Sequence, residues 1–117
     1  MAKVNDEILK QLLTLAQKDD RRIIDWPNDW RPHEVNNPDD GQPFTNESAW
    51  EFVITLLQDK TAYKEVPQKK PPGAMAYVFR ATLSDGWKVY VKVRFSKNRS
   101  KIIGRSFHYD EKQKPHD

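Results

Sequence analysis

The sequence predicts an α+β fold, with two helices packed on one face of a three- to four-stranded antiparallel sheet. Three observations carry that expectation. Apolar residues recur at helical spacing over 5–18 and again over 45–59. From Trp87 to Ser96 they alternate strictly, as in a strand with one buried face. A second alternating run, Ala74 to Leu83, precedes Ser84-Asp85-Gly86, a hairpin signal. A chain of 117 residues reads as one domain, long enough for one core and too short for two.

Taken in order, Asn5 is the expected N-cap of the first helix, and Asp6 and Glu7 suit the positive end of its dipole. Ile8, Leu9, Leu12, Leu13, Leu15 and Ala16 form its apolar stripe. The charged run Asp19 to Arg22 ends it, and Ile23 and Ile24 fit a short strand or a further turn. Residues 25–46 are rich in Pro, Asn and Asp and read as a long loop, with Asn37-Pro38-Asp39-Asp40-Gly41 a turn and Trp26, Trp30 and Phe44 as anchors. Asp39 and Asp40 lack the spacing and terminal Glu of an EF-hand, so no calcium site is expected.

Thr45 is the expected N-cap of the second helix, with Glu47 in its first turn and Phe44 stapling the entry. Ala49, Trp50, Phe52, Val53, Ile54, Leu56 and Leu57 cover most of its circumference, which makes 45–59 the buried helix. Ala62 to Val66 fits a short edge strand stopped by Pro67, and Pro72-Gly73 fits a type II bend. The sheet spans 62–109, and 110–117 is a polar tail.

Register decides what the sheet presents. A two-residue Asp-Gly turn pairs Ser84 with Trp87 and mixes apolar and charged faces. A three-residue loop with a left-handed Gly86 pairs Leu83 with Trp87 instead, joining the apolar sets on one side. In that register Arg80, Lys88, Tyr90, Lys92 and Arg94 share the other side. The third strand, Lys101 to Tyr109, leaves two registers open. With Ile103 and Phe107 in the core, Ser106 and His108 join the basic side, whereas Arg105 and Tyr109 point inward. With Ile102 in the core, Arg105, Phe107 and Tyr109 join the basic side, and Ser106 and His108 turn inward.

Charge is unevenly distributed. Residues 1–59 carry 6 Lys and Arg against 12 Asp and Glu, a net −6, and residues 60–117 carry 14 against 5, a net +9, which together give the chain's +3. A basic C-terminal sheet is the footprint expected for a polyanion, or a solvated surface facing the acidic half of the same molecule. The absence of cysteine excludes disulfides, thiolate metal sites and thiol nucleophiles. No metal or other cofactor is expected. No apolar run approaches the roughly 20 residues needed to span a bilayer, so no membrane association and a cytoplasmic location are expected.

The helix over an antiparallel sheet, the Tyr-x-Lys-x-Arg strand Tyr90 to Arg94 and the ending Ile102-Ile103-Gly104-Arg105-Ser106-Phe107-His108-Tyr109 resemble the small RelE-type and MqsR-type ribonuclease toxins of bacterial toxin-antitoxin systems. The resemblance covers about the last 60 residues, and the long, acidic N-terminal half departs from it. It implies metal-free RNA cleavage by sheet-face residues, with Lys92, Arg94, Arg105, His108 and Tyr109 at the matching positions and an antitoxin protein as partner. The chemistry needs a base for the 2′-hydroxyl, an acid for the leaving oxygen and cations for the phosphoryl charge. An imidazole at His108 suits the proton transfer, Lys92 and Arg94 suit the phosphate, and Tyr90 or Tyr109 suits base stacking. Arg80, Lys88, Tyr90 and Ser106 are the candidate RNA contacts. His33 and His116, in a loop and a tail, have no catalytic role in this reading. The alternatives are a module that grips nucleic acid without cutting it and a protein-interaction domain with an acidic partner.

Overall fold

The structure, a computed structural model, describes residues 6–67 and 75–110, with the side chains of 25–28 outside the description. The expected cap at Asn5, the Pro72-Gly73 bend, the side chain of Trp26 and residues 111–117 therefore lie outside it. The helical stripe at the N-terminus forms α1, Asp6–Ala16, which buries Leu9, Leu12 and Ala16. The second stripe forms α2, Asn46–Gln58, with Thr45 as N-cap. Thr45 Oγ1 accepts from the Ser48 N–H at 3.0 Å, and Ser48 Oγ accepts from the Thr45 N–H at 2.9 Å, so Ser48 fills the role that Glu or Gln takes in most capping boxes. Phe44 is buried before the cap and meets Phe52 and Phe107 edge-on, at 5.7 and 5.1 Å between centroids.

The described residues form seven strands: β1 Arg22–Trp30, β2 Asn36–Asn37, β3 Gln42–Pro43, β4 Lys64–Pro67, β5 Met75–Thr82, β6 Lys88–Phe95 and β7 Ile102–Tyr109. The main sheet has five of them in the order β1-β7-β6-β5-β4, and β2 and β3 form a separate ribbon. The architecture is α+β with two helices and a mostly antiparallel sheet, with more strands than the three or four expected. The additional strands lie largely in 25–46, which is not the loop its composition implied. There β1 adds to β7 in parallel, with a shift of register between Ile24 and Asp29. The turn residues of 36–43 serve the ribbon: Asn37 Oδ1 accepts from the Asp39 N–H, Asp40 Oδ1 accepts from the Gln42 N–H, and Gly41 takes φ +72°.

The β5–β6 hairpin has the bulged turn. Gly86 takes φ +91°, the Leu83 N–H donates to the Trp87 carbonyl at 2.7 Å, and the Gly86 N–H donates to the Leu83 carbonyl at 2.9 Å. The odd residues Val89, Val91, Val93 and Phe95 are buried in one cluster with Tyr77, Phe79, Leu83 and the apolar faces of both helices. Ala76 and Val78 are buried on the opposite side of β5, beside their cross-strand partners Arg94 and Lys92. Among the described residues no helix is long and apolar enough to cross a membrane.

Candidate nucleic-acid interface on the sheet

The second face of the sheet is laid out by register. Across β5, β6 and β7 the rows run Ala76, Arg94, Ile103; then Val78, Lys92, Ser106; then Arg80, Tyr90, His108. Arg80, Lys92 and Arg94 thus share one face, because directly paired residues point to the same side of a sheet.

On β7 both sequence registers are half right. Lys92 pairs with Ser106 and Val93 with Gly104, so Arg105 is an extra residue in a bulge. The bulge shifts the alternation by one residue: Ile102 faces the core before it, and Phe107 faces the core after it. Both aliphatic and aromatic anchors are buried, and Ser106 and His108 still reach the basic face. Gly104 permits this arrangement, since an added Cβ would lie 2.8 Å from the Trp30 ring. Trp30 is buried against Trp50 and Phe107, at 4.9 and 5.4 Å between centroids, and its Nε1–H donates to Asn46 Oδ1 at 3.1 Å.

The middle of the face holds a stack of planar groups. The Arg80 guanidinium lies 5.3 Å from the Tyr90 ring centroid, and Tyr90 stacks on His108 at 5.2 Å with 11° between planes. His108 Nδ1 lies 2.8 Å from the Tyr109 carbonyl oxygen. A carbonyl oxygen only accepts, so Nδ1 carries the proton, and in the neutral ring Nε2 holds the lone pair. Burial pushes the Tyr90 phenol up from its ordinary pKa, opposed by Arg80 and reinforced by Asp110 and Asp29. Lys92, in the next row, is held below its ordinary pKa by burial first and by the Arg105 guanidinium second, with Asp29 acting in the other direction. Ser106 is buried between Lys92 and Asp29, its partners on either side.

Three of the expected site residues are placed differently from the rest. Tyr109 is on the helix side: its ring packs on Trp87 at 4.7 Å, and its hydroxyl accepts from the Asn36 N–H at 3.1 Å. It leaves the group of catalytic candidates because alternation after the bulge puts it opposite His108. Arg94 stays on the basic face, but its Nη1 donates to the Phe95 carbonyl at 3.1 Å, at the apolar end of the strip beside Ile103. Lys88 lies at the other end, opposite Thr82, and its carbonyl accepts the Asp110 N–H at 2.9 Å.

Asp110, the first residue of the expected polar tail, is only 4% exposed, with Oδ2 3.0 Å from Arg80 Nε. The approach is an ion pair rather than an aligned hydrogen bond. The alternation of Ser106 and His108, carried one step further, points to Asp110. Asp29 is brought opposite Ser106 only by the parallel pairing of β1, which no local pattern announces. Outside the face, His33 is exposed beside Glu34 at 3.8 Å. The chain matches no known protein family, and no curated protein or solved structure matches it.

Proposed function

We propose that the β5–β7 face binds RNA and cleaves it without a metal ion, as a ribonuclease of the toxin type that the C-terminal half resembles, with an antitoxin as the protein that would cover the face. The observation that carries this reading is the placement of His108 one row from Lys92 on a cationic face, with Nδ1 turned to the Tyr109 carbonyl so that Nε2 is the basic nitrogen of the neutral ring. Such diagonal neighbours stand roughly 7–8 Å apart at the backbone, enough for a phosphodiester between their side chains. In the proposed step His108 Nε2 takes the proton of the ribose 2′-hydroxyl, and the 2′ oxygen attacks phosphorus. The bond to the 5′ oxygen breaks, and Lys92, whose depressed pKa makes its ammonium the readier acid, protonates that oxygen. Arg105 and Arg80 stabilise charge on the phosphoryl oxygens, and the edge of the Tyr90–His108 stack offers a platform to a base. The products are a 2′,3′-cyclic phosphate and a 5′-hydroxyl end.

The test is incubation of end-labelled single-stranded RNA with the protein in a chelator. Cyclic-phosphate products are expected, reduced by about 100-fold or more in His108→Ala and in Lys92→Met. Intact RNA at high protein concentration, or equal cleavage by His108→Ala, ends the reading. A second reading, binding without cleavage, is favoured by the flat seating of His108 on Tyr90, which makes the imidazole part of a stacking surface. It predicts intact RNA and an affinity that falls steeply with salt.

A further inference from the structure

Arg80 is gripped by one edge. Asp110 approaches its Nε at 3.0 Å, and the flat of the guanidinium lies over Tyr90 at 5.3 Å. The carboxylate has 4% of its side-chain surface exposed, and the arginine has 45%. A guanidinium ion-paired at its Nε side and lying over one ring face presents, among the described residues, its Nη1/Nη2 edge to a second anion, and that edge matches the two oxygens of a phosphate. Burying a carboxylate is costly without partners, and the Arg80 guanidinium is one partner of this one. Its position is set by the backbone as well, through the Asp110 N–H donated to the Lys88 carbonyl.

We infer that Asp110 is a positioning residue for a phosphate subsite, holding Arg80 so that its Nη1/Nη2 edge meets a phosphodiester of bound RNA next to the Tyr90–His108 stack. The inference rests on the RNA-binding reading of this face and adds a subsite to it. It also makes a prediction of unusual sign. Asp110→Asn removes a negative charge from a cationic face, which by charge alone tightens RNA binding. If Asp110 acts by orienting Arg80, binding weakens.

The experiment measures affinity of the full chain for a fluorescent single-stranded oligoribonucleotide at several salt concentrations, with cleavage followed in parallel. Asp110→Asn is expected to bind about tenfold more weakly, the scale of one charge-assisted bidentate contact. In an Arg80→Ala background the same substitution is expected to change nothing further, since its effect runs through the arginine. Arg80→Lys keeps the charge beside Asp110 but has no fork, and is expected to lose affinity to the same degree; it serves if Asp110→Asn does not fold. Affinity that is unchanged or higher in Asp110→Asn, or an Arg80→Lys variant that binds as the wild type does, overturns the inference. RNA cut normally by a tight-binding Asp110→Asn would remove the subsite and keep the ribonuclease. Weakened binding with no cleavage by any form would keep the subsite and remove the ribonuclease, and a wild type that binds no RNA overturns both.

Discussion

Gly104→Ala is the substitution whose effect the structure specifies most closely. Gly104 lies between Val93 of β6 and Ile24 of β1, on the core side of β7. A methyl group there would stand 2.8 Å from both Cε3 and Cζ3 of Trp30, closer than carbon atoms pack. The indole has little room to yield, because Trp50, Phe107 and Asn46 hold it on three sides. Overpacking of this kind costs about 1–3 kcal/mol. Alanine's smaller backbone entropy loss returns about 0.5–1 kcal/mol. The net is a destabilisation of up to about 2.5 kcal/mol, which lowers Tm by up to about 10 °C in a chain of this size. Thermal and urea unfolding of the variant measure it. A double-mutant cycle with Trp30→Leu assigns the cause, because the alanine should be nearly harmless once the ring is gone. Unchanged or raised stability in Gly104→Ala, or an equal penalty in the Trp30→Leu background, would refute the claim that this glycine exists for the tryptophan.

Three further outcomes are expected. Thr45→Ala removes the acceptor for the Ser48 N–H and should lower stability by about 1 kcal/mol, read from urea unfolding. Tyr109→Phe deletes the acceptor for the Asn36 N–H on the helix side; it should lower stability by less than about 1 kcal/mol and leave RNA binding and cleavage unchanged, whereas a large loss of activity would return Tyr109 to the site. Lys92→Met should reduce cleavage by about 100-fold or more while leaving the fold at least as stable at neutral pH. The sign follows from linkage: the folded-state pKa of Lys92 is depressed, so the folded state disfavours the charged lysine, and wild-type stability gains as pH rises through that depressed pKa toward the ordinary lysine value. The stability difference between the two proteins should therefore narrow in that alkaline window, and a difference that widens would contradict a buried, Arg105-crowded ammonium.

Much of the fold is readable in local pattern. Both helices, the cap at Thr45, the bulged turn at Gly86 and the gathering of Arg80, Lys92 and Arg94 on one face all follow from spacing over a few residues, because period and turn chemistry act locally. The segment 22–46 was not legible in the same way. Its Pro, Asn and Asp residues announce a loop, and β1 exists because β7 offers it an edge, a tertiary opportunity that overrides propensity. The candidate site divides similarly. Lys92, Tyr90 and Arg80 follow from alternation, whereas Asp29 and the final orientation of Tyr109 depend on pairing with distant or phase-shifted partners.

Sequence alone determined the periods, caps and turn that make an amphipathic helix pair and a hairpin with one basic face, since each of these is settled by interactions among near neighbours. Tertiary structure decided the phase of β7. Ile102 and Phe107 lie five residues apart and cannot face one core in an unbroken strand, and only packing against Trp30 and both helices makes it favourable to bulge at Arg105 and bury both. That single extra residue puts Ser106, His108 and Asp110 beside Lys92 and Arg80.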